Sequence, residues 1–250
     1  MPGSRIRERV WLHGGRPRAF GTAAEYAVAD ADCAHALPDN VDFAAGACLG
    51  VPACTAHHAV FADGPVSRQT ILVQAGAGAV GHFAVQFAAQ AGARVIATAS
   101  SPNKAEHAKA GGAEIVIDYK REDIVARVRD LTGGRGVDRI IEVDFGSNLE
   151  TCAALVRENG VIASYSSTAV PRPTLPYYAF AHKGATLRFV QGLLLTPKAR
   201  REAVAAIDLG LRRGTLKATV AHAFPLAAIA QAHAYLESGE AMGKVVVQIA

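Results

Sequence analysis

The sequence predicts an α/β protein: a doubly wound parallel sheet with a second, smaller β-rich domain. Three observations predict it. Short apolar runs alternate with amphipathic stretches through the middle of the chain. A glycine-rich turn joins the first of these runs to a helix, and both ends of the chain break the alternation.

The central pattern starts at Ile71-Leu72-Val73, which reads as a buried strand. It enters Gly76-x-Gly78-x-x-Gly81 and leaves through a small-residue helix, Ala79-Val80 running on to Gln90. In a chain with 24 glycines that spacing alone says little. Strand before, helix after and a further strand at Arg94–Ala99 make it a dinucleotide fingerprint. One glycine serves the tight turn, one lets backbone approach a pyrophosphate, and one lets the helix pack on the strand. The helix N-terminus then faces the phosphates. Gly76, Gly78, Ala79, Val80 and Gly81 are the cofactor-binding residues expected here.

The second strand says which dinucleotide. NAD-binding units usually end it in Asp or Glu, which accepts from the ribose 2′-hydroxyl. Here it ends Thr98-Ala99-Ser100-Ser101, with Lys104 and Lys109 following and Tyr119 and Lys120 beyond the third strand. A carboxylate would repel a 2′-phosphate, whereas hydroxyls and an ammonium hold it. Ser100, Ser101, Lys104 and Tyr119 therefore point to NADPH. The alternative is that Ser101-Pro102 is only a helix start, with Ser as N-cap, Pro in the first turn and solvated lysines behind it.

The alternation continues with a third strand at Glu114–Asp118 and an amphipathic helix, Ile124–Arg129, ending near Gly133-Gly134. A fourth strand spans Gly136–Val143, and a helix from Leu149 to Arg157 is stopped by Asn159-Gly160. Val161–Tyr165 is a fifth strand, followed by a loop with Pro171, Pro173 and Pro176 and a short helix. Thr186 to Leu195 reads as the last strand, with Thr186–Val190 at its heart. An apolar edge strand invites pairing with its two-fold mate, so a homodimer through Thr186–Val190 is expected, burying Phe189 and the neighbouring leucines. Alternatively, Leu193–Leu195 packs beneath the next helix.

The flanks hold strand-like runs at Arg9–Leu12 and Ala24–Ala29, joined by a Gly/Pro/Arg loop. At the other end lie a long helix from Thr196-Pro197 to near Gly214, a strand at Val220–Phe224, a helix at Leu226–Leu236 and a strand at Lys244–Ile249. The expected division is residues 48–214 for the cofactor domain, with 1–47 and 215–250 forming the second domain.

Composition narrows the class. Half the residues are hydrophobic, yet no run approaches a membrane span. Residues 1–9 contain no apolar signal core, which points to the cytoplasm. The net charge of +4 is scattered, which suits an anionic cofactor and does not argue for nucleic acid. Cys33, Cys48, Cys54 and Cys152 show no CxxC pairing and read as reduced thiols. The nine histidines are dispersed, and adjacent His57-His58 cannot form the i, i+4 pair of a zinc helix, so no metal site is expected.

Four segments, taken in order, resemble the zinc-independent quinone oxidoreductase (zeta-crystallin-like) branch of the medium-chain dehydrogenase/reductases. They are Arg9-Val10-Trp11 with Ala24-Glu25-Tyr26, then Leu37-Pro38-Asp39 to Ala56, then the glycine turn, and finally Glu237 to Val246. The stretch from Ile141-Glu142-Val143 to Asn148-Leu149 is similar to the same branch. The resemblance implies a Rossmann domain, a partial GroES-like domain and metal-free hydride transfer from NADPH to a quinone or α,β-unsaturated carbonyl. It places Thr55 near the nicotinamide, Lys104 and Tyr119 near the 2′-phosphate, and Lys244 against the cofactor. It also implies a longer catalytic domain, of which this chain would hold the last strands. A fragment, a truncated reading frame and a reduced enzyme all fit that expectation. In addition, Tyr165-Ser166-Ser167-Thr168 stands where relatives often carry a glycine.

No catalytic acid is assigned. Tyr165 and Tyr178 are either proton donors or packing residues, and Glu142 either faces the cofactor or satisfies nearby backbone and ribose groups. No Gly-x-Ser-x-Gly elbow occurs. The competing function is a nucleotide-binding structural or NADPH-sensing protein without turnover.

Overall fold

A computed structural model describes residues 5–14 and 21–249. The first residues, 1–4, and the Gly/Pro/Arg connection at 15–20 lie outside the described residues. The opening elements are β1 (Val10–Leu12), β2 (Ala34–Ala36), α1 (Phe43–Ala47) and α2 (Gly50–Phe61). There follow β3 (Thr70–Val73), α3 (Ala79–Gln90), β4 (Arg94–Ala99), α4 (Pro102–Ala110), β5 (Ile115–Asp118) and α5 (Ile124–Leu131). Next come β6 (Val137–Glu142), α6 (Leu149–Leu155), β7 (Val156–Ser164), α7 (Tyr177–Ala181) and β8 (Thr186–Phe189). The chain closes with α8 (Pro197–Arg212), β9 (Val220–Pro225), α9 (Ile229–Glu237) and β10 (Lys244–Gln248).

The chain forms two compact units, 55–192 and 1–54 with 193–250. This differs from the expected limits of 48–214, chiefly because α8 belongs with the terminal segments. Its Leu211 carbonyl accepts from Asn40, and Arg200 pairs with Asp32 at 3.3 Å.

The 55–192 unit is built on a six-stranded parallel sheet, order β5-β4-β3-β6-β7-β8. β3 and β6 are buried along their whole length, the near-continuous apolar pattern of a sheet covered on both faces. Leu72, Ile96, Ile140 and Ile162 point to one face, where they pack with Val128 of α5 and Leu149, Cys152 and Leu155 of α6. The alternate residues face the other side, where Arg139 reaches α2 and Ala97 lies under the turn into α3.

Arg139 breaks the apolar reading of β6. It is 1% exposed, and its guanidinium donates to the carbonyls of Ala59 (3.3 Å) and Val60 at the C-terminal end of α2. These are orphan carbonyls of a helix end, and a cation there is favoured by the dipole. At the opposite edge Asp138 accepts from the Thr70 N–H at 2.7 Å and pairs with Arg157 at 2.5 Å, so it ties together the starts of β3, β6 and β7.

Three expected elements shift. The helix after β6 ends at Leu155, not Arg157, because Val156 pairs with Val137 and Arg157 turns to Asp138. The last strand stops at Phe189 and gives way to a 3-10 turn at Gly192–Leu194. Ala24–Ala29 is not a strand. Tyr26 and Val28 are exposed, and β1 instead pairs antiparallel with β2.

A pair of histidines joins α3 to α4. His82 and His107 stack with ring centroids 3.9 Å apart, and Gly111 clears space for the His82 ring. Burial, then the neighbouring His107, pushes His82 down to about 4. A histidine depressed in the folded state but ordinary when unfolded takes up its proton preferentially on unfolding. Its stabilising contribution is therefore complete above about pH 6.5 and lost as pH falls toward about 4. Urea unfolding across this window should show stability falling with acid, by at most about 1.4 kcal/mol per pH unit for this residue. His82→Phe should flatten the slope.

Candidate cofactor site

The turn between β3 and α3 is pinned at its base. Gln74 donates its N–H to the Ile141 carbonyl at 3.0 Å, and its side-chain oxygen accepts from the Thr98 hydroxyl at 2.9 Å. Thr98, 2% exposed on β4, accepts the Ala75 N–H on its hydroxyl and the Gly76 N–H on its carbonyl, both at 3.0 Å. The reversal occurs at Ala75, whose φ is +53°, rather than at a glycine.

The glycines are needed for approach. A Cβ on Gly76 would stand 2.7 Å from the Ala97 Cβ, and one on Gly81 would stand 2.2 Å from the Ala75 carbonyl oxygen. A Cβ on Gly78 would meet only that oxygen, at 3.3 Å, and its direction is otherwise open. Gly78 is also the N-cap of α3 and offers no capping side chain. The first-turn N–H groups of Ala79, Val80 and Gly81 therefore have no intrahelical acceptor. An open, uncapped helix start beside a bare backbone fits a pyrophosphate.

The 2′-phosphate candidates gather where β4 and β5 end. Ser101 N-caps α4 and accepts the Lys104 N–H at 3.4 Å, which puts Lys104 in the first turn. The Tyr119 N–H donates to the Ala99 carbonyl at 3.2 Å, so the exposed phenol of Tyr119 begins beside Ser100. No carboxylate ends β4. Asp118, one strand over, accepts from the Lys120 N–H at 3.0 Å. Lys109 lies farther along α4, paired with Glu106.

Other candidates lie on separate elements. Thr55 is buried on α2. Lys244 opens β10 in the other unit, beside Cys48, whose thiol burial pushes up to about 11 against the pull of Lys244. Tyr178 is exposed on α7, whereas Tyr165 is half-buried and its phenol is held well above the usual range by burial and by Glu142. Glu142 is 0% exposed at the C-terminal end of β6. It accepts from the Asp144 N–H (2.6 Å), the Asn148 amide (2.8 Å) and the Cys152 thiol (3.3 Å). Burial outweighs these bonds and leaves its carboxyl above the ordinary value.

Sequence reasoning missed Thr98, Gln74, Asn148 and Cys152. For the first two, the signal available was a polar residue at the end of an apolar strand, where backbone groups need partners.

A family model described as zinc-binding dehydrogenase matches residues 79–208. The chain belongs to the medium-chain dehydrogenase/reductase family, in its quinone oxidoreductase branch. It is 28% identical over 265 residues to quinone oxidoreductase of Pongo abelii, covering 98% of this chain and 79% of that protein. Among solved structures, Escherichia coli quinone oxidoreductase complexed with NADPH superposes with a TM-score of 0.79 at 25% identity, covering 87% of this chain and 68% of that one. An NAD-dependent alcohol dehydrogenase superposes with a TM-score of 0.84 at 31% identity, covering 92% and 66%. This medium-chain dehydrogenase/reductase is thus a member of an oxidoreductase family built on the parallel sheet described above.

Gly78→Val tests the phosphate cradle. The backbone at Gly78 is extended, with φ −76° and ψ 169°, and the new Cβ meets only the Ala75 carbonyl oxygen, at 3.3 Å, which a small shift relieves, so the variant should fold. Its branches would occupy the pyrophosphate position, and NADPH titration should show binding abolished.

Proposed function

We propose that this protein is an NADPH-dependent oxidoreductase that transfers hydride to a quinone or an α,β-unsaturated carbonyl without a metal. The observation that carries the reading is the open cradle at Gly78 joined to a β4 end that bears Ser100 and Ser101 in place of an acid. The relatives support it: one is a quinone oxidoreductase, and another was solved with NADPH. The likeness to an NAD-dependent enzyme bears on the fold, while the choice of cofactor rests on these local residues.

The cofactor, when bound, supplies the hydride. The chain supplies position: α3 holds the pyrophosphate, and Ser100, Ser101, Lys104 and Tyr119 hold the 2′-phosphate. Quinones and enones share an electrophilic carbon conjugated to a carbonyl, so one hydride geometry serves both. The metal-free reading follows the resemblance to the zinc-independent branch. Among the described residues, the group of metal-binding side chains with ligand atoms within 4.8 Å of one another is Asp30, Asp32 and Cys33, which lies outside the unit of the glycine turn. Among the described residues no helix is long and apolar enough to cross a membrane.

NADPH oxidation measured against a panel of quinones and enones tests the activity. NADPH binding without turnover on any acceptor would favour the sensing alternative. Lys104→Ala should weaken NADPH by roughly 1–3 kcal/mol, the cost of one charge-assisted bond, and leave NADH almost unchanged. Equal losses would remove the 2′-phosphate assignment.

The assembly proposed is a homodimer through β8. Among the described residues β8 has a neighbour on one side only, and Phe189 is 74% exposed. The Val190 N–H points inward, to the Ser164 carbonyl at 2.7 Å, so the outward donors fall on the alternate residues Leu187 and Phe189. Sedimentation at micromolar concentration should show a dimer, and Phe189→Asp, which places a charge in the contact without removing a ladder bond, should yield monomer.

A further inference from the structure

One residue joins the two loops that rise beside the glycine turn. The side chain of Glu142 gathers the loop after β6: the Asp144 N–H, the Asn148 amide and the Cys152 thiol all donate to it. Its main-chain carbonyl accepts the Tyr165 N–H at 3.1 Å, which fixes the start of the loop after β7. Three further bonds brace the loops against each other. The Phe145 N–H donates to the Ser166 carbonyl (3.0 Å), the Gly146 N–H to the Ser167 hydroxyl (2.9 Å), and the Ala169 N–H to an Asp144 carboxylate oxygen (3.2 Å). The loops approach so closely that a Cβ on Gly146 would stand 2.3 Å from the Val170 carbonyl oxygen.

The position of this platform follows from topology. The strand order reverses between β3 and β6, and ligands of doubly wound sheets cross the carboxyl ends of the strands at such a point. With the phosphates at α3 and the adenosine half toward Ser100 and Ser101 just after β4, the other half of an extended dinucleotide runs out over β6 and β7. It meets the braced loops there.

Resting on the NADPH reading above, we propose that Glu142 is a positioning residue for the nicotinamide half of the cofactor, through its clamp on the loops after β6 and β7. A carboxyl group buried at this edge carries a desolvation cost that an apolar residue would avoid, and its bonds hold loops rather than the sheet core. Glu142 does not touch the cofactor. Its carboxyl fixes the loop after β6 at Asp144 and Asn148, and that loop, through the Phe145, Gly146 and Asp144 bonds, sets the backbone of residues 165–168, which does.

The test compares two ligands on Glu142→Gln, which keeps the size of the side chain but replaces one accepting oxygen with a donor. The probes are NADPH and adenosine 2′,5′-bisphosphate, which carries the 2′-phosphate but no nicotinamide. Calorimetric titration should show NADPH weakened about tenfold and the bisphosphate unchanged, the size expected for one lost hydrogen bond to a charged group. Asn148→Ala, which removes one brace and leaves the carboxyl in place, should give a smaller selective loss and serves if Glu142→Gln does not fold. An equal loss for both probes, or no loss for either, overturns the positioning role. Wild-type protein that binds neither probe overturns the NADPH reading itself.

Discussion

The cofactor half of the molecule depends on how tightly the turn after β3 is pressed onto β4. Thr98 takes two consecutive N–H groups of the turn, and no atom beyond the backbone fits between Gly76 and Ala97 or between Gly81 and Ala75. That closeness fixes the direction in which α3 leaves the sheet, and with it the line along which the uncapped first turn points. The same closeness lets His82 of α3 reach His107 of α4. A methyl group added at either tight glycine would have to push the turn off the strand, and both the turn's shape and the helix packing would go with it.

The sheet answers the rest of the site by polar groups placed at its ends. Asp138 binds strands together at the amino edge, Gln74 and Thr98 do so at the carboxyl edge, and Glu142 there holds the loop after β6. Between these rows β3 presents Ile71, Leu72 and Val73, whereas β6 carries Arg139 in its interior, sealed under α2. The guanidinium is tolerated because it meets two helix-end carbonyls and lies close to Asp63, which is itself held by Arg188 at 2.5–2.6 Å. A buried charge without such partners would be costly. The arrangement leaves the carboxyl edge free for loops, where a doubly wound fold keeps its chemistry.

How much of this was legible in the sequence varies by element. The strand–turn–helix around Gly76, Gly78 and Gly81 was readable because each part carries its own local signal: a β-branched run, a glycine spacing and a small-residue helix. The start of α4 was equally plain from Ser101-Pro102, and the Ser101 cap is present. The helix after β6 was read two residues too long because Val156 and Arg157 suit a helix as well as a strand, and only Val137 and Asp138 across the ladder decide between them. Ala24–Ala29 has the composition of a strand, with Tyr26 and Val28, but composition alone does not form a ladder, and the pairing went to β2.

The sequence by itself determined the parallel α/β class, the glycine turn and the missing acid after β4, because these are written in neighbouring residues whose backbone needs are local. Tertiary structure alone decided that Ala75, rather than a glycine, takes the left-handed turn, and that Thr98 anchors it. It also decided that Arg139 is buried and that Glu142 clamps two loops. The reason is common to all four. Each depends on a partner far away in the chain, and a hydrogen bond or a close approach between distant segments leaves no mark on the residues beside it.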